Sequence, residues 1–156
     1  MSEHHDNLLD ALDEVLSFIR RVPRRPRYRQ RFLGDVDMSG GPTTVRALRA
    51  AEIAPSGTLS VGDLAAALSL EPSTVSRVVD GCVRSGLFTR TPGSDDRRRS
   101  ELRLTDEGRE VLARVTENRR ALLAEATGGW DDHDLESLHA LLRELGRGFD
   151  GLETEA

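Results

Sequence analysis

Ser73, Thr74, Ser76 and Arg77 follow directly on Pro72, and their types are those of a surface that reads a polyanion. On a helix they present polar groups away from Val75, Val78 and Val79. Small hydroxyls permit close approach to base edges, and a guanidinium donates two parallel hydrogen bonds to guanine or clamps a phosphate. A second cationic group comes at Arg97, Arg98 and Arg99. At the tip of a loop, Arg98 is long enough to enter a narrow minor groove, where negative potential concentrates. Asp96 is spaced to brace it, and Arg97 and Arg99 read as phosphate partners or solvated charge. Arg90 has two readings, a phosphate contact or an ion pair on a strand face. These eight residues are the candidate DNA-binding set.

Other chemistries find little support in the residue types. The chain has no Gly-rich phosphate loop, no nucleophile elbow and no acid–base constellation, so no enzyme is expected. His133 and His139 are six apart and do not share a helical face, and His4 and His5 lie at the amino end. Neither a metal nor a cofactor is expected. Cys82 is the one cysteine, which excludes an intrachain disulfide. It invites a redox reading, but its place on the apolar face of Val75 and Val79 favours core packing. Trp130 reads as an anchor for a turn between helices.

Charge is distributed unevenly along the 156 residues. Residues 1–19 carry a charge of −5, residues 20–105 carry +7, and residues 106–156 carry −7. All 22 basic residues are Arg. A basic middle between acidic ends is the footprint of a chain that meets a polyanion with its middle. No apolar run approaches the roughly 18 residues of a membrane span. The acidic amino end is unlike a signal peptide, so a cytoplasmic protein without membrane attachment is expected.

The elements that must position these residues are mostly helical. With aromatics at 4%, the core must be aliphatic, which suits helices packed on helices. Leu8, Leu9, Leu12, Val15, Leu16 and Ile19 predict an amphipathic helix over 7–20, ended by Pro23 and Pro26. The Arg-dense stretch 20–31 reads as a connector with three possible roles: solvated loop, phosphate contact, or lining for an anionic effector. A second helix is predicted over 42–54, with Pro42 in its first turn. Ser60 and Asp63 have capping-box spacing ahead of Leu64, Ala65 and Leu68. Pro72 opens the next helix, with Val75, Val78, Val79 and Cys82 inward, and Gly86 closes it. Two short strands, 87–90 and 100–104, flank the turn chemistry of Pro92–Asp95. Thr105 caps a long helix running to Gly128, and a last helix spans 131–147 with Leu135, Leu138, Leu141, Leu142 and Leu145.

The unit 60–105 thus has the layout of a winged helix-turn-helix. Residues 61–108 resemble the multiple-antibiotic-resistance regulator (MarR) family of bacterial transcription factors. The matching stretches are SVGDLAAALSL (60–70), STVSRVVD (73–80), GLFTRTP (86–92) and DRRRSELRLTDEG (96–108). The last carries the wing signature at Asp96, Arg98, Leu102, Leu104, Thr105 and Gly108. The resemblance implies a mainly α fold with a small two-stranded β-wing, the core at 42–105 flanked by dimerisation helices at 7–20 and 105–148 in a single domain. It also implies a homodimer that binds a pseudo-palindromic operator in double-stranded DNA, most often as a repressor released by a phenolic or lipophilic small molecule. A nonspecific DNA-binding protein and a winged-helix protein-interaction module are the alternative readings.

Overall fold

The computed structural model describes residues 3–36, 41–92 and 100–154, which fall into two compact units dividing between Leu122 and Leu123. In chain order the elements are α1 (Glu3–Arg21), a 3-10 turn (Val22–Arg24), α2 (Pro26–Leu33), α3 (Gly41–Glu52) and β1 (Leu59–Ser60). Next come α4 (Val61–Leu68), α5 (Pro72–Arg84), β2 (Phe88–Pro92), β3 (Ser100–Leu104), α6 (Asp106–Ala126) and α7 (Asp132–Thr154). The mainly α winged-helix architecture expected from the sequence is present.

Three features differ from the sequence expectation. Pro26 does not belong to an irregular connector; it occupies the first turn of α2, where its missing N–H leaves no helix bond unmade. The small sheet has three strands rather than two, in the order β1-β3-β2, because Leu59 and Ser60 pair with Leu102 and Glu101. A two-residue strand has no periodicity from which to read it. The last helix continues past Arg147 to Thr154, with Gly148 and Gly151 inside it.

The core of the first unit gathers α3, α4, α5, the sheet and the start of α6. Leu48, Leu64, Val75, Val79, Phe88, Leu102, Leu112 and Val115 are fully buried there. Each such aliphatic side chain contributes about 1.5–3 kcal/mol relative to exposure. Alternation holds on β3, where Leu102 and Leu104 face inward and Arg103 outward. Leu104 lies opposite Phe88, and Leu102 opposite both Leu59 and Arg90.

The capping box at α4 is formed: the Asp63 amide donates to Ser60 Oγ at 3.1 Å, and the Ser60 amide donates to Asp63 Oδ2 at 2.9 Å. Thr105 joins two elements. Its Oγ1 donates to the Gly86 carbonyl at 2.7 Å and accepts from the Gly108 amide at 2.9 Å, tying the end of α5 to the first turn of α6. In the second unit, Asp131 Oδ1 accepts from the Asp134 amide at 2.8 Å and starts α7.

Two helices keep apolar stripes uncovered. On α1, Leu8, Leu9, Leu12, Val15, Phe18 and Ile19 are exposed, and no residue of that helix is buried. On α7 the same holds for Leu135, Leu138, Leu141, Leu142, Phe149 and Leu152.

Candidate functional site

α5 is aimed by its neighbours rather than by a side-chain cap. Pro72 sets its first turn, and the Glu71 carbonyl accepts from the Thr74 and Val75 amides at 2.9 and 3.1 Å. Inward, Val75, Val79 and Cys82 lock the helix into the core, while Val78 is only half-buried. The predicted set therefore stands on the outer face: Ser73 and Arg77 are exposed, and Thr74 and Ser76 are half-buried. Arg77 Nε reaches back to the Ser73 carbonyl at 3.4 Å, a long contact that leaves the guanidinium available for a partner.

Arg90 on β2 donates from Nη1 to Asp80 Oδ1 of α5 at 3.0 Å, so the ion-pair reading of this residue describes its present contact. Arg97, Arg98, Arg99 and the bracing Asp96 lie outside the described residues.

The sequence reading passed over a pocket of about 230 Å³ in the first unit, lined by Pro23, Tyr28, Phe32, Pro42, Val45, Arg46, Arg49 and Arg119. Tyr28 and Phe32 stack with ring centroids 5.9 Å apart, one helical turn from each other on α2. Arg49 Nη2 donates to Thr116 Oγ1 at 3.3 Å, and Arg46 Nη2 donates to the Leu68 carbonyl at 2.8 Å. The walls are apolar and aromatic, and three guanidinium side chains contribute the charge. A sequence signal existed in Arg46 and Arg49, spaced to share a face of a helix otherwise rich in Val, Ala and Leu. Nothing in the chain pattern connects them to Arg119.

Cys82 is buried on the inner face of α5. Burial pushes its thiol up to about 11, against a hydrogen bond with Thr44 that pulls the other way. A protonated, enclosed thiol is a packing group and a poor nucleophile.

Residues 41–99, which include the helix pair and β2, match the sequence model described as the MarR family. The HTH-type transcriptional repressor MdtR of Bacillus subtilis (strain 168) is 32% identical over 84 residues, a match spanning about half of each protein, 54% of this chain and 54% of that one. A MarR family protein from Bacillus stearothermophilus has the same fold, with a TM-score of 0.78 at 23% identity over 93% of this chain and 97% of that one. So does BpsR of Bordetella bronchiseptica, whose DNA binding is regulated by 6-hydroxynicotinic acid; its TM-score is 0.63 at 21% identity over 85% and 92% of the two chains.

Proposed function

We propose for this chain, whose winged-helix segment belongs to the MarR family, the role of a homodimeric, sequence-specific DNA-binding repressor in the cytoplasm. The outer face of α5 carries the reading. It joins small hydroxyls and an exposed guanidinium at Ser73, Thr74, Ser76 and Arg77 on a helix whose other face is fixed in the core. Such a helix enters a major groove, and a dimer sets two of them about 34–36 Å apart, one turn of duplex. A pseudo-palindromic operator follows from that symmetry. Arg98 reads the minor groove, and Arg97 and Arg99 hold phosphates.

The uncovered stripes of α1 and α7 support the dimer, since a stable monomer rarely leaves so much apolar surface to water. The pocket between aromatic walls and three Arg supports release by a small aromatic molecule. MdtR is a repressor, and a small aromatic acid regulates DNA binding by BpsR. This chain is read as working in the same manner.

The test is fluorescence anisotropy on duplexes tiled from the region upstream of the gene, against scrambled duplex at two salt concentrations. One site bound at least about 10³-fold above random duplex is the expected result. Equal, salt-sensitive binding to every duplex would replace the reading with a nonspecific binder. No binding to any duplex would leave a distant operator or a protein-interaction module.

A further inference from the structure

From Val15 to Gly34 the chain carries seven Arg and no acid. This run spans the end of α1, the 3-10 turn and α2, and all seven side chains are exposed. The helix itself is anchored by Phe32, which is buried, and by Tyr28 and Leu33, which pack against the same core. The charges are therefore carried on a fixed element rather than a solvated loop.

Their surroundings differ. Arg25 lies over the Phe18 ring, 4.7 Å from its centroid, and Arg31 has a partner of its own. Arg24 and Arg29 line one groove of about 350 Å³ with Gln30 and Leu33. Among the described residues no ion pair involves either of them. Two cations facing one groove without a carboxylate repel each other, and an anion seated between them removes that repulsion.

The groove is joined to the helix pair through α3. Arg29 lies against the start of that helix: its Nη2 would be 3.0 Å from a Cβ added at Gly41. The rise from Gly41 to Arg46 is about 7.5 Å. Arg46 Nη2 then donates at 2.8 Å to the carbonyl of Leu68, the last residue of α4, and α5 opens at Pro72. One helix thus separates Arg29 from the turn that leads into α5. A major groove is about 12 Å wide and is bordered on both sides by phosphates.

We propose that the start of α2 is a second DNA-contacting surface outside the winged helix, with Arg24 and Arg29 holding backbone phosphates beside the groove that α5 enters. The inference rests on the DNA-binding reading above and adds a separate set of contacts to it. A guanidinium pairs with phosphate through two parallel hydrogen bonds. Such contacts carry no sequence information, so this surface adds affinity and fixes orientation while α5 reads the bases.

The test uses the full chain, a fluorescein-labelled duplex of random sequence and the upstream duplexes, with anisotropy at several salt concentrations. Arg24→Ala/Arg29→Ala is expected to reduce the log–log salt slope by about 0.9 for each contact, or about 1.8 per bound chain. Binding should weaken at least about tenfold, by the same factor on every duplex. Arg24→Lys/Arg29→Lys should keep the slope, because either cation neutralises a phosphate. Arg143→Ala/Arg147→Ala removes the same charge from α7 and should leave the slope as it was. If circular dichroism finds the alanine variant unfolded, Arg24→Gln/Arg29→Gln takes its place with the same expectation. An equal loss in the α7 variant, or a loss confined to one duplex, would overturn the proposal. Wild-type binding with an unchanged slope in the Arg24 and Arg29 variant would overturn it and leave the regulator reading standing. Absence of wild-type binding to any duplex would overturn it and count against that reading as well.

Discussion

The Arg90 guanidinium lies 3.0 Å from the Asp80 carboxylate, bridging β2 to the outer face of α5. The same helix face carries Ser73 and Arg77, seven and three residues before Asp80. One ion pair therefore joins β2 to the helix face that carries Ser73 and Arg77.

The strength of that tie is limited by water. The two side chains are 34% and 46% exposed, so a double-mutant cycle with Arg90→Ala and Asp80→Ala should give a coupling of about 0.2–1 kcal/mol in urea denaturation. Raising the salt concentration should shrink it. A coupling that persists unchanged in 1 M salt would contradict a screened surface pair.

Arg77→Ala separates base reading from phosphate clamping. A base contact predicts a loss of about 1–3 kcal/mol on the operator, with relaxed preference at one position. A phosphate contact instead weakens all duplexes alike and reduces the log–log salt slope by about 0.9. Anisotropy on operator and scrambled duplex at several salt concentrations distinguishes the two, and we expect the first.

Gly108→Ala should destabilise the fold by about 1–3 kcal/mol. A Cβ at this position would run into the Leu87 carbonyl oxygen and come within 2.7 Å of Leu104 Cδ1. That carbonyl already accepts from the Thr105 amide at 3.1 Å, so the backbone has little room to withdraw. The midpoint of urea unfolding measures the loss, and an unchanged midpoint would mean that α6 shifts to accommodate the methyl.

Cys82 gives a pH-dependent signature. Its thiol titrates near 11 when folded, above the 9.0 of a free thiol, so between those values the unfolded chain has released a proton that the folded chain keeps. Stability from this group is fully present below pH 9 and falls as pH rises toward 11, by up to about 1.4 kcal/mol per pH unit. Cys82→Ser should remove this slope between pH 9 and 11. At pH 7.5 a thiol reagent should label native protein slowly and urea-unfolded protein at once. Rapid native labelling that abolished DNA binding would restore the redox reading.

Leu138→Glu tests the dimer. The residue lies on the uncovered stripe of α7 beside Leu135, Leu141 and Leu142. Sedimentation should find monomer or aggregate, because a buried carboxylate without a partner costs several kcal/mol. An intact dimer would remove α7 from the interface.

Periodicity, caps and turns are local, and the sequence by itself determined what depends on them. The Ser60–Asp63 capping box, Pro72 at the head of α5, the inward faces of α4 and α5, and the alternation of Leu102 and Leu104 were all legible. So was the outer face of α5, since a 3.6-residue repeat fixes what stands opposite Val75 and Val79. Tertiary structure decided the relations between distant residues. Leu59 becomes a strand only because Leu102 lies opposite it, and Arg90 finds Asp80 only because β2 returns along α5. Pro26 was misread because the same ring that stops one helix can begin another; the helix it opens packs Phe32 into the core, and that packing settled the matter. The pocket belongs to the same class. Arg46 and Arg119 are far apart in sequence, and their meeting comes from how α3 and α6 pack, which no spacing along the chain records.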